Sequence, residues 1–124
     1  MSIPTQYQTV TPYLIIKDAL SFLEFMQELF GAEVTETHFR DESETTVMHA
    51  ELKIGNASIM CAEATDQWKT EPAGLFVYVE NADASYAKAL ELGCTTIMEL
   101  TDQPYGRTCG VKDIFENTWW ITSV

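Results

Sequence analysis

The 124 residues are enough for one domain and too few for two, and a 46% hydrophobic content with 11% aromatic residues supplies the apolar surface for one core. Nineteen acidic against seven basic residues give a net charge of −12, and without a Lys/Arg cluster this disfavours nucleic acid, so no nucleic-acid partner is expected. No apolar run approaches the roughly 20 residues of a membrane span, and the opening MSIPTQYQT lacks the basic and apolar regions of a signal peptide, so a cytoplasmic protein with no membrane partner is expected. Cys61, Cys94 and Cys109 lack the close pairing of a zinc or CxxC motif and read as reduced, mostly buried thiols.

In chain order, Thr9 to Ile16 (TVTPYLII) predicts a strand that Pro12 confines to a sheet edge or interrupts. Asp18 then caps a helix whose apolar residues, from Ala19 to Phe30, follow three-and-four spacing, and Gly31 ends it. Three strands are predicted next, Glu33 to Phe39, Thr46 to Ile54 and Ala57 to Ala62, the last two joined by the hairpin turn Gly55-Asn56. Strict alternation in the middle strand would put Val47, His49, Glu51 and Lys53 on one face and Met48, Ala50, Leu52 and Ile54 on the other. Residues 64–73 have no clear period and read as a connection.

From Gly74 the order begins again: an apolar strand, a helix capped by Asn81 or Asp83 and ended by Gly93, then strands from Cys94, Gly110 and Thr118. Placing Gly31 on Gly93 puts Pro12 on Gly74, Leu14 on Phe76 and Asp18 on Glu80. The expected fold is therefore α+β: a module over about 9–63 and a second over about 74–124, each strand-helix-strand-strand-strand, forming one domain with a concave mixed-sheet cleft.

The segment YGR followed by GVKDIFENTWWI (Tyr105–Arg107, Gly110–Ile121) resembles the closing signature YGxRxGxxxDPFGNxWxI of the vicinal oxygen chelate superfamily, the glyoxalase, bleomycin-resistance and dioxygenase family. TPYLIIKDALSFLEFMQELFGAE, MHAELKIG and SIMCAE resemble its PhnB-like branch. The resemblance implies paired βαβββ modules and commonly a homodimer; enzymes of the family hold a divalent metal through four His or Glu side chains from the first and last strands of both modules. Counting back from Asp18 and Glu80 places the family histidines on Pro12 and Gly74, and the last-strand positions fall on Ile59 (or Met60) and on Trp120. None suits Zn²⁺, Ni²⁺, Mn²⁺ or Fe²⁺, so no metal and no cofactor are expected, and the reading leans away from an enzyme. The signature also departs where Pro becomes Ile114 and Gly becomes Glu116, for which a changed turn type is expected rather than a strained Glu116.

Candidate ligand-binding residues follow. His49, mid-strand, could bind a ligand or serve as a base, although a hydrogen-bonded sheet histidine is the plainer reading. Trp119 and Trp120 alternate, and the family register assigns the cleft to Trp120, whose indole would fill the metal's volume or stack on a planar or cationic guest. Phe76 and Tyr78 share parity with Gly74, Ile59 and Cys61 share parity with each other, and Trp68 lies in the connection that could cover the mouth. Tyr105 and Arg107 occupy the family's cleft loop, where Arg107 could bind an anion or form a surface ion pair. No nucleophile is proposed, and nothing pairs Glu63, Glu99 and Asp102 for acid-base work. The expected function is metal-free binding or sequestration of a small molecule, cationic or aromatic. Its alternatives are a metal-dependent lyase, isomerase or dioxygenase using nonstandard ligands such as His49 and Glu63, and a structural or regulatory dimer whose cleft is filled by its own tryptophans.

Overall fold

The computed structural model describes residues 1–124. It is α+β, with two compact units, Met1–Glu71 and Pro72–Val124. The first contains β1 (Tyr13–Ile16), α1 (Ala19–Phe30), β2 (Glu33–Phe39), β3 (Val47–Ile54) and β4 (Ala57–Glu63); the second contains β5 (Gly74–Tyr78), α2 (Ala82–Glu91), β6 (Thr95–Gln103), β7 (Gly106–Lys112) and β8 (Thr118–Ser123). Each has a four-stranded mixed sheet, ordered β1-β4-β3-β2 and β5-β8-β7-β6. The outer pairs β1/β4 and β5/β8 are parallel and the rest antiparallel.

Pro12 explains where β1 begins. It has no N–H to give a ladder, so the strand starts at Tyr13 on the sheet edge, while the Pro12 carbonyl accepts from the Met60 N–H at 2.9 Å. The turn into α1 is held from both sides. Asp18 accepts from the Ser21 N–H at 3.4 Å, and Glu63, at the end of β4, accepts from the backbone N–H groups of Asp18 and Ala19 at 2.8 and 2.9 Å. A long-range carboxylate thereby satisfies two amides that a helix start leaves unpaired. At the far end Gly31 takes φ 65°, which its missing Cβ permits, and donates to the Gln27 carbonyl.

The apolar stripe of α1, including Ala19, Phe22, Leu23 and Met26, is buried, and the sheet residues Leu14, Ile16, Ala50, Leu52, Ile59 and Cys61 are buried on the face the helix covers. Each of the larger side chains contributes on the order of 2 kcal/mol by leaving water. In the second unit Asn81, not Asp83, caps α2 through the Ala84 N–H, and that helix buries only Ala82 and Ala89. Val77, Cys109, Val111, Trp119 and Ile121 form the helix-facing layer of its sheet.

Three expectations are corrected. The register of β3 against β2 slips between His38 and Phe39, because His38 faces His49 while Phe39 faces Val47. Met48 is the extra residue of a β-bulge, so Val47 turns into the core (0% exposed) while Met48 turns out (47%), the reverse of strict alternation. The repeat offset is also displaced: the N-caps Asp18 and Asn81 are equivalent, so Leu14 corresponds to Val77 and Tyr13 to Phe76, and aligning on Gly31 and Gly93 misplaces the first strands by one residue. Finally, Glu116 keeps the glycine conformation, with φ 74°. Left-handed backbone costs a non-glycine residue about 1–2 kcal/mol, while glycine adds about 0.5–1 kcal/mol of unfolded-chain entropy. Glu116→Gly should therefore raise stability modestly, by about 0.5–1 kcal/mol, read as a higher urea midpoint; a lower midpoint would show that the backbone there is unstrained.

Candidate functional site

Strand parity gives each sheet one face under its helix and one face turned away from it. In the first unit the open face carries Tyr13 and Ile15 from β1, Met60 and Ala62 from β4, and, past the bulge, Met48, His49 and Glu51 from β3. Ile59 and Cys61 are not on it. Ile59 pairs with Leu52 and Cys61 with Ala50 and Leu14, which places both under α1 at 5% and 0% exposure, so the expectation that they face a ligand is corrected and Met60 is the open-face residue. Burial, assisted by the Glu63 charge, pushes the Cys61 thiol up to about 12, which leaves it inert as a nucleophile.

A chain of side-chain hydrogen bonds crosses this face. His49 Nε2 lies 2.8 Å from Glu51 Oε2, Tyr13 Oη lies 3.1 Å from His49 Nδ1, and Tyr7, in the segment before β1, donates to Glu51 Oε1. With Nε2–H donating to the carboxylate, Nδ1 is the acceptor for the Tyr13 hydroxyl. Burial pushes the Glu51 carboxyl up, but the bonds from Tyr7 and His49 outweigh it and hold the group below the usual carboxylate range. His49 thus takes the hydrogen-bonded sheet reading, bonded to both Glu51 and Tyr13. His38 lies beside it, ring centroids 6.5 Å apart, and bonds Glu36 at 2.9 Å.

Next to this chain is a pocket of about 380 Å³ lined by Tyr13, Ile15, Met48, Ala62 and Trp68, with Arg40 and Glu63 as its charged groups. Trp68 is positioned by a tight turn, its N–H donating to Thr65 Oγ1 at 2.9 Å and its carbonyl accepting from the Thr65 N–H at 2.8 Å. The Glu71 N–H to the Ile15 carbonyl, 3.0 Å, ties the same segment to β1.

The open face of the second unit is aromatic. Phe76 is opposite Trp120, and Trp120 is opposite Gly110, so one row runs across β5, β8 and β7. The indole lies over Gly110, where an added Cβ would fall 2.3 Å from its Cζ3. Phe76 packs edge-on to Tyr78, centroids 5.2 Å apart, and 6.2 Å from Tyr105; all three are about half exposed or more. Trp119 faces the other way, buried, its Nε1 donating to Asp113 at 2.8 Å. Arg107 does not present its fork to a ligand. Its guanidinium is held by Asp83, at 2.6 and 3.2 Å, and by Asp102 at 3.2 Å, the ion-pair reading.

These registers allow a direct test of metal fit. The equivalent open-face pairs on first and last strands are Tyr13 with Met60 and Phe76 with Trp120. The neighbouring open positions hold Ile15 with Ala62, Gly74 with Thr118, and Tyr78 with Thr122. No imidazole, carboxylate or thiol is among them, and Pro12, one residue out of this parity, has no donor side chain. The nonstandard pair fails too: both Glu63 oxygens accept helix amides and both His49 nitrogens are engaged. No three His, Cys, Asp or Glu side chains gather as a ligand set. The residues present do not fit the divalent metal that the resemblance implies for enzymes.

Sequence reasoning did not find Arg40, Met48 or the pocket role of Tyr13. Tyr13 was accessible by aligning the helix N-caps; the bulge that exposes Met48 left no composition signal.

Two units, each one helix over a four-stranded mixed sheet, define a tandem βαβββ protein. The chain belongs to the Glyoxalase/Bleomycin resistance protein/Dioxygenase superfamily, whose family model matches residues 7–121. It is 26% identical over 122 residues to an uncharacterized protein of Mycobacterium bovis, covering 89% of this chain and 79% of that one. Among solved structures it resembles a PhnB protein from Bacillus cereus (TM-score 0.77, 23% identity, 94% of this chain and 100% of that one). It also resembles TnmS3, an antibiotic binding protein from Streptomyces sp. CB03234 (TM-score 0.72, 16% identity, 99% and 98%). At these identities the structural likeness establishes the fold alone. No helix is long and apolar enough to cross a membrane.

Proposed function

We propose that the protein binds a planar, largely apolar small molecule without a metal, in the pocket of the first unit. The observation that carries this reading is the pocket itself: about 380 Å³, within the usual range for small-molecule sites, walled by Tyr13, Ile15, Met48, Ala62 and Trp68. Tyr13 and Trp68 offer flat faces for stacking, and Met48 offers a polarizable wall that adapts to ring edges. The first- and last-strand positions offer no imidazole or thiol toward the open faces, and the one carboxylate at the pocket, Glu63, is held by two helix amides, which supports binding over metal-dependent turnover. The likeness of fold to TnmS3, an antibiotic binding protein, supports small-molecule binding as such.

The test is a thermal-shift screen of planar aromatic compounds, repeated on Trp68→Ala. A ligand at about 100 times its Kd should add about 2.7 kcal/mol of stability, and Trp68→Ala should weaken binding by about tenfold, the order of one lost aromatic contact. Shifts that persist unchanged in Trp68→Ala would place binding elsewhere, and no shift with any compound would reject the reading.

A further inference from the structure

The polar groups of the same pocket specify the charge of its guest, an inference that rests on the binding reading above. Glu63 is already answered: its two oxygens accept the Asp18 and Ala19 amides at 2.8 and 2.9 Å, at the positive end of α1. Arg40 is not. Its backbone N–H bonds the Thr46 carbonyl at 2.8 Å, but its guanidinium has neither a hydrogen bond nor an ion pair, in a chain with nineteen acidic residues. The contrast is Arg107, the other arginine, which two carboxylates hold.

The carboxylate next in sequence shows how Arg40 is kept free. Asp41 turns into its own loop, accepting from Ser43 Oγ, from the Thr45 amide and hydroxyl, and from the Thr46 amide. Those bonds, from Ser43 first, hold its carboxyl well below the usual range, so its charge and lone pairs are committed there. Tyr13 is engaged as well, its hydroxyl 3.1 Å from His49 Nδ1.

We propose that this pocket selects a planar aromatic carboxylate, the ring against Trp68 and Met48 and the carboxylate on the Arg40 fork. Guanidinium and carboxylate match in a two-pronged geometry that neither an ammonium nor an alcohol reproduces. The net charge of −12 does not oppose this. At physiological ionic strength, charges beyond about 8 Å are largely screened, so the contact guanidinium outweighs the distant field. A cationic guest, which the overall acidity suggests, would meet an unpaired guanidinium at the pocket and a carboxylate whose two oxygens already accept helix amides.

The test is calorimetric titration of the intact chain with naphthoate, naphthylmethanol and naphthylmethylammonium, one ring system in three charge states, at about 0.15 M salt. Naphthoate should bind about tenfold tighter than the alcohol, and the ammonium weakest. Arg40→Gln, an exposed substitution, should erase the preference for naphthoate over the alcohol, and Arg40→Lys should restore part of it. Equal affinities for acid and alcohol, tightest binding of the ammonium, or a naphthoate preference that survives Arg40→Gln would overturn the charge inference while the binding reading stands. Failure of all three probes to bind would overturn both.

Discussion

Replacing Asp113 with alanine is expected to lower stability by about 3 kcal/mol or more. The carboxylate is 5% exposed and accepts four hydrogen bonds: from the Phe115 and Asn117 amides at 2.8 and 2.9 Å, from Asn117 Nδ2 at 3.1 Å, and from Trp119 Nε1 at 2.8 Å. Asn117 and Trp119 are 0% and 1% exposed, so donors stranded there have no water to turn to. Each orphaned buried donor costs about 1–3 kcal/mol. Asn117 adds leverage, since its Oδ1 accepts the Ala73 amide at 3.0 Å and so pins the start of β5 to the turn before β8. The measurement is the urea midpoint of Asp113→Ala beside Asp113→Asn, which keeps the size and one acceptor and should lose roughly half as much. A loss below about 1 kcal/mol for alanine would mean that the turn reorganises and recovers its bonds.

The same turn marks a boundary of what the sequence discloses. Local signals were legible: helix caps at Asp18 and Gly31, the Gly55-Asn56 hairpin, the edge position that Pro12 demands, and the twice-repeated order of elements. Each depends on neighbours within a few residues. Placement of side chains on faces was legible only in part. Trp120 falls on the open face as the family register implied, whereas Ile59 and Cys61 do not, because strands have period two and a one-residue error inverts every side chain. Aligning the two halves by their helix ends introduced an error of that size in the first strands, since Gly31 lies 13 residues after its N-cap Asp18 and Gly93 lies 12 after Asn81. The roles of Glu63, Arg40 and Tyr7 were not legible because each depends on a group elsewhere in the fold, or on its absence. Glu63 reaches the start of α1, Tyr7 reaches Glu51, and Arg40 matters for a carboxylate that has turned away.

Gly110→Ala is expected to cost about 1–3 kcal/mol and to dislodge Trp120, a large effect for one methyl group. The reason is the row across β5, β8 and β7. Trp120 can lie on the sheet only because Gly110, directly opposite, has no side chain; a Cβ there would fall 2.3 Å from Cζ3 and 2.7 Å from Cε3 of the indole. Backbone strain is not involved, since Gly110 is not among the positive-φ glycines. The indole must therefore lift toward solvent, shifting tryptophan emission to the red and taking away the partner of Phe76. A double-mutant cycle separates this from any general intolerance of alanine. In a Trp120→Ala background the clash is gone, and Gly110→Ala should become neutral or stabilise by about 0.5 kcal/mol, because alanine loses less chain entropy in a strand than glycine does. An equal cost in both backgrounds would show that Gly110 serves the backbone of β7 and not the seat of the indole.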